Sequence, residues 1–278
     1  MKRYLGFIGL LTVVLLTVFS QSVVASSAGT VIIFSSLDKN QPFNVSGTLY
    51  LPENSSTPCP AVVMIHGTTG PDVRYEFHRD SILKAGIAVF AVDFKTGVFT
   101  GPSDRPRNRT FVPMAFAALK ELRNLPTIDP ERIGIMGFSL GGGVTVTTAI
   151  ENNRALWMSD EKGFAAHAAF YPCVGFFIPK LSNLTGAPMI IFYGTEDCYG
   201  DGQNVPAFKR LLLENYNFNV TTVEYTGAHH GFNRNAPAIS YYDPSAIDQK
   251  GYSEWDAHAA IDSQTKVVDF LRETLAAK

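Results

Sequence analysis

Cysteine is scarce in this chain: 278 residues carry three, Cys59, Cys173 and Cys198, and no two of them form a Cys-x-x-Cys pair. No His-Glu-x-x-His motif occurs either. The ligand spacing of a metal site is therefore missing, and neither metal nor cofactor is expected. An excess of charge of one sign is also lacking. Lys and Arg number 23 against 25 Asp and Glu, the net charge is −2, and there is no basic tract. Nucleic acid is accordingly not an expected partner. Internal repeats and low-complexity linkers are absent, which argues for one domain. Nor does any apolar run reach the roughly 20 residues that a membrane-spanning helix needs.

The most apolar stretch, Leu5 to Phe19, is about 15 residues long and follows Lys2 and Arg3. Val23-Val24-Ala25 then supplies small residues where a signal peptidase would cut. Residues 1–25 read as a signal peptide and 26–278 as a single exported domain, periplasmic or extracellular, with no stable membrane insertion after cleavage. An uncleaved N-terminal anchor is the alternative. The remaining chain is long enough to bury one large core.

What the chain does contain is a regular alternation of strand and helix patterns. Thr30–Ser35 and Phe43–Leu51 read as paired edge strands joined by the turn Asp38-Lys39-Asn40. Buried strands follow at Ala61–Ile65, Ile87–Phe94, the run up to Phe138, Phe164–Tyr171, Met189–Tyr193 and Val220–Tyr225. Helices are expected over Asp72–Ala85, from Pro113 to about Leu125, from the Ser139 turn to about Asn152, over Asn204–Tyr216 and over Trp255–Ala276. Val98 to Val112 breaks the pattern, rich in Pro, Gly and Arg, and reads as a long loop and candidate lid. Such alternation implies an α/β fold: a mostly parallel, twisted sheet of about eight strands with helices on both faces.

One turn carries chemistry. Ile133-Gly134-Ile135-Met136-Gly137-Phe138 is an apolar strand that runs into Ser139-Leu140-Gly141-Gly142-Gly143 and then a helix-compatible stretch. Gly-x-Ser-x-Gly between strand and helix is the nucleophile elbow of an α/β-hydrolase. Gly137 and Gly141 leave room for neighbouring backbone, and the Leu140 amide points from the helix start to where an oxyanion would form.

A serine hydroxyl needs a base, and the base an orienting acid; in this fold the chain order is Ser, Asp or Glu, then His. Four histidines follow Ser139. His167 falls in a strand and His258 in the last helix, so both read as structural. The loop Gly227-Ala228-His229-His230-Gly231-Phe232 lies past the last strand, where the base must sit. Two adjacent side chains cannot both face Ser139, and His230 is preferred over His229 because Gly231 lets the backbone turn. For the acid, Gly194-Thr195-Glu196-Asp197 ends a strand. Asp197 is preferred, with Glu196 and Asp201 as alternatives. The second oxyanion donor is assigned to the Thr68 amide in His66-Gly67-Thr68-Thr69-Gly70, with His66 bracing that loop. Cys173 and Cys198 each end or follow an apolar run. If those strands are neighbours, the two cysteines can pair and leave Cys59 free; three reduced thiols are the alternative.

These segments resemble the dienelactone hydrolase family, in order and spacing, over nearly the whole mature chain. The resemblance also takes in the strand ending at Asp93 and Asp129-Pro130-Glu131-Arg132 ahead of the elbow. It implies Ser139, Asp197 and His230 as nucleophile, acid and base, with the Thr68 and Leu140 amides as the oxyanion hole. Two departures matter. The type members use cysteine where Ser139 stands and a glutamate where Gly67 stands, so this chain resembles the serine-nucleophile branch, and dienelactone itself is doubtful as substrate. The family holds its substrate's carboxylate with arginines. One falls at Arg234; the other falls at Gly97, where Lys95, Arg105, Arg107 or Arg109 is left as a substitute.

The expected activity is hydrolysis of small carboxylic esters through an acyl-enzyme. A polyester- or lipid-directed esterase would use the same triad. A peptidase is disfavoured by the lack of a gating domain. A non-catalytic binding protein is disfavoured because all three triad positions are filled.

Overall fold

The computed structural model describes residues 29–40, 43–53, 58–95, 108–176 and 183–276. Residues 1–25, the expected signal peptide, and most of the expected loop, including Gly97, Arg105 and Arg107, lie outside these residues; Arg109 enters only as helical backbone.

Eight strands form the main sheet: β1 (Thr30–Ser35), β2 (Asn44–Tyr50), β3 (Cys59–Ile65), β4 (Ala88–Asp93), β5 (Ile128–Phe138), β6 (His167–Phe170), β7 (Met189–Gly194) and β8 (Thr221–Tyr225), in the order β1-β2-β4-β3-β5-β6-β7-β8. β1 and β2 are antiparallel to their neighbours, and every pairing from β4 through β3 to β8 is parallel. Because the central parallel strands β3, β4, β6 and β7 are covered on both faces, they are apolar at nearly every position. Residues still alternate between faces. On β3, Ala61, Val63 and Ile65 join one core cluster while Val62 and Met64 join the other. The first face is covered by α2 (Asn108–Arg123), α3 (Leu140–Thr148) and, toward β7, α5 (Asp201–Tyr216). The second is covered by α1 (Val73–Lys84) and α6 (Ala257–Thr274). Each fully buried Leu, Ile, Val or Phe contributes roughly 1.5–3 kcal/mol, so these two faces dominate the stability.

Four elements differ from the expectation. The helix expected to open at Pro113 starts at Asn108, so residues 108–112 are helix rather than loop. Pro113 sits inside it and forfeits one backbone hydrogen bond, which the burial of Phe111 against Phe94 and His66 offsets. The helix after Ser139 ends at Thr148, not near Asn152. Ile150 is extended (φ −79, ψ 123) and α4 (Glu151–Met158) begins anew. The hydroxyls of Thr145, Thr147 and Thr148 bond back to carbonyls of the preceding turn, an arrangement that bends and ends helices. α5 begins three residues early, at Asp201. Finally, the chain between β8 and α6 makes a two-stranded hairpin, β9 (Ile239–Tyr242) with β10 (Lys250–Ser253), which the sequence did not announce. All four β9 residues are exposed, so no apolar/polar alternation marked it. Among the described residues no helix is long and apolar enough to cross a membrane, and no group of three or more His, Cys, Asp or Glu side chains could hold a metal.

Candidate active site

Ser139 occupies the turn between β5 and α3 with φ 55 and ψ −117, a conformation that a non-glycine residue adopts at a cost of roughly 1–3 kcal/mol. The two glycines make it possible. A Cβ on Gly137 would lie 2.2 Å from the Gly141 carbonyl oxygen, and one on Gly141 would lie 2.5 Å from the Ile65 oxygen and 2.6 Å from that of His66. The Ser139 amide donates to the Phe170 carbonyl at 3.0 Å, which ties the elbow to the end of β6.

His230 and Asp197 reach this serine from two other loops at the same rim. His230 Nε2 stands 2.9 Å from Ser139 Oγ, and His230 Nδ1 stands 2.8 Å from Asp197 Oδ2. An ionised carboxylate only accepts, so Nδ1 carries the proton, and the bare Nε2 accepts from the serine hydroxyl. Asp197 is buried, and its other oxygen accepts the Tyr199 amide at 2.8 Å. The alternatives are accounted for elsewhere. Glu196 is exposed, and Asp201 spends its two oxygens on the amides of Cys173 and Val174. His229 turns away: its Nδ1 contacts the Glu196 carbonyl at 3.1 Å and its ring packs on Tyr252.

The turn after β3 closes with the Gly70 amide donating to the Gly67 carbonyl at 3.2 Å. A Cβ on Gly67 would be 3.4 Å from Ser139 Cβ, so this turn lies directly against the elbow. The Thr68 amide is not used by the turn, and Leu140, the first residue of α3, has no intrahelical acceptor for its N–H. His66 braces the turn from below. Its Nδ1 contacts the Gly67 carbonyl at 2.6 Å, and its Nε2 accepts the Phe94 amide at 3.0 Å. Burial lowers its pKa, which keeps the ring neutral and this pattern intact.

Behind the serine lies a buried polar cluster that sequence reasoning missed. Arg74 donates to Asp72 through Nε (2.8 Å) and Nη2 (2.5 Å), and to the Tyr171 hydroxyl at 3.1 Å. Tyr171 donates to Asn233 Oδ1, and Asn233 Nδ2 donates to His78 Nε2 at 2.9 Å. Burial works against the Arg74 charge, but Tyr171 and Asp72 more than offset it and raise its pKa. Burial pushes Tyr171 up to about 12 and His78 down to about 3. The rings of Tyr171 and Tyr199 pack on His230 with centroids 4.7 and 4.6 Å away, both inclined at 63°. The one available signal was position: Tyr171 immediately follows β6 beside the elbow.

The expected Cys173–Cys198 bond is not formed; Cys59, Cys173 and Cys198 are all free thiols. The hairpin is the reason. Cys198 Sγ donates to the Tyr252 carbonyl at 3.5 Å and accepts its amide at 3.4 Å, whereas Cys173 Sγ faces the Tyr171 carbonyl. Arg234 is half-buried and donates to the Pro237 carbonyl at 3.1 Å, and its charge helps hold down the pKa of Asp72. Lys95 lies along the other side of the site turn, with Nζ 3.4 Å from the Thr69 carbonyl.

The sheet order and a serine elbow facing histidine and aspartate across the C-terminal rim define an α/β-hydrolase. The fold is shared with an esterase from the planctomycete Thermogutta terrifontis bound to propionate (18% identity, TM-score 0.65, covering 91% of this chain and 98% of that one). It is shared too with Est1E from Butyrivibrio proteoclasticus (16%, TM-score 0.61, 90% and 100%) and with a dienelactone hydrolase-like promiscuous phosphotriesterase from metagenomic libraries (17%, TM-score 0.61, 89% and 99%). The chain belongs to the dienelactone hydrolase family, whose sequence profile matches residues 45–275. A curated relative, the quorum-quenching protein AidA of Acinetobacter baumannii, is 29% identical over 136 residues, which cover 46% of this chain and 44% of that protein.

Proposed function

We propose that the protein is an exported serine hydrolase that cleaves small carboxylic esters. The observation that carries this reading is the single histidine, His230, bonded at once to Ser139 Oγ and to Asp197 Oδ2. His230 takes the proton from Ser139 as the hydroxyl attacks the ester carbonyl. The amides of Thr68 and Leu140 hold the oxyanion, each worth roughly 3 kcal/mol. His230 then protonates the leaving alcohol and, in the second half, activates the water that releases the acid. Asp197 keeps the ring in the Nδ1–H tautomer and stabilises the imidazolium. No step needs a metal or cofactor.

Family membership and the esterases that share the fold support an ester substrate, and the expected signal peptide supports export. Ser139→Ala should abolish hydrolysis of p-nitrophenyl butyrate while the circular-dichroism spectrum stays unchanged. Turnover at the parent rate in that variant would refute the nucleophile. N-terminal sequencing of the mature chain should begin near Ser26, and a chain beginning at Met1 would refute cleavage.

A further inference from the structure

The described residues bury a carboxylate that the mechanism above does not use. Asp201 opens α5 with no exposed surface, beside the Asp197 loop. Its Oδ2 accepts the Cys173 amide at 2.8 Å and its Oδ1 the Val174 amide at 2.9 Å. Each oxygen of this helix-opening residue thus accepts one backbone amide. Burial and the neighbouring Asp197 push its pKa up to about 8, only partly opposed by the two amides.

The turn that Asp201 grips is strained. Tyr171 has φ 38 and Cys173 has φ 54, and neither is glycine. Such conformations persist where the surroundings over-determine them, and they cluster at functional sites. Tyr171 is what this turn delivers. It is fully buried, its hydroxyl is held by Arg74 and Asn233, and its ring packs on His230. A regular continuation of β6 would carry that side chain elsewhere.

We propose that Asp201 is a positioning residue for His230: by holding the Cys173 and Val174 amides, it fixes the left-handed turn that lays the Tyr171 ring against the imidazole. The role presupposes that His230 is the general base. Asp201 touches neither His230 nor Ser139, so it acts only through the turn.

The test is Asp201→Asn, which turns one accepting oxygen into an NH2 group facing an amide N–H. The folded variant should lose tenfold or more in kcat for p-nitrophenyl butyrate with KM within twofold of the parent. The downfield NMR resonance of His230 Nδ1–H should broaden. Tyr171→Leu should give the same signature, and the double variant should be no worse than the more damaged single one, since both act on one contact. A folded Asp201→Asn protein with kcat within twofold of the parent, or losses that multiply in the double variant, would overturn the role. If Asp201→Asn does not fold, Tyr171→Leu decides alone: a tenfold kcat loss at constant KM sustains the role and parental kcat overturns it. A His230→Ala protein that still labels with a fluorophosphonate at the parental rate would instead overturn the base assignment itself.

Discussion

Replacing Gly141 with alanine puts a methyl group where the structure has none to spare. The added carbon would stand 2.5 Å from the Ile65 carbonyl oxygen and 2.6 Å from that of His66, both backbone atoms at the end of β3. Packed interiors do not absorb such overlap, so β3 and the elbow must separate by roughly 1 Å. That motion carries the turn bearing Thr68 away from Ser139 and pulls one oxyanion donor off its target. Overpacking of this kind costs roughly 1–3 kcal/mol of stability, a tolerable fraction of what a domain this size has. A misplacement of 1 Å at the reacting centre costs about a hundredfold in rate. Gly141→Ala should therefore fold, melt several degrees lower and hydrolyse p-nitrophenyl butyrate with kcat down about a hundredfold. Gly134→Ala is the control: it lies on β5, the strand that leads into the elbow, and its added carbon meets nothing closer than 3.4 Å, so kcat should not change. A folded Gly141→Ala enzyme with kcat within twofold of the parent would refute the packing argument.

The two adjacent histidines should separate cleanly: His230→Ala should remove ester hydrolysis, whereas His229→Ala, whose ring faces Glu196 and Tyr252, should retain most of it in the same assay. Stability should fall on acidification. Burial holds His78 near 3 and His167 near 4, while the unfolded chain titrates near 6.5. The unfolded state therefore binds more protons from about pH 6.5 down to 4, and each histidine costs about 1.4 kcal/mol per pH unit there. His167→Leu should flatten the urea-unfolding free energy against pH by one proton's worth over that window; an unchanged slope would contradict it. If Arg234 holds an anionic acyl group, Arg234→Ala should lose the preference for charged over neutral esters in a panel of acyl chains. Identical preference in both proteins would dismiss the clamp.

Local chemistry made much of the site legible. Ser139 was marked by two glycines whose close approaches are now visible, and His230 and Asp197 by loops that immediately follow apolar strands. Asp197 was preferred over Glu196 without a local reason; in the folded geometry one carboxylate is buried under the imidazole and the other is in solvent. The cluster of Asp72, Arg74, Tyr171, Asn233 and His78 was not legible, because its members meet only when the end of β6, α1 and the His230 loop converge. No local pattern announces a buried ion pair. The β9–β10 hairpin hid for the opposite reason: β9 is exposed throughout and so without periodicity. Its Tyr252 backbone is what occupies Cys198, and the disulfide expectation failed with it. The start of α2 was misplaced because proline was read as an opening residue, when the burial of Phe111 outweighs the bond that Pro113 forfeits.

The most direct test of the account is covalent. Incubated with a fluorophosphonate and digested, the protein should yield one adduct, on the peptide that contains Ser139, and Ser139→Ala should yield none. An adduct on another residue, or a folded parent protein that takes up no probe, would contradict it.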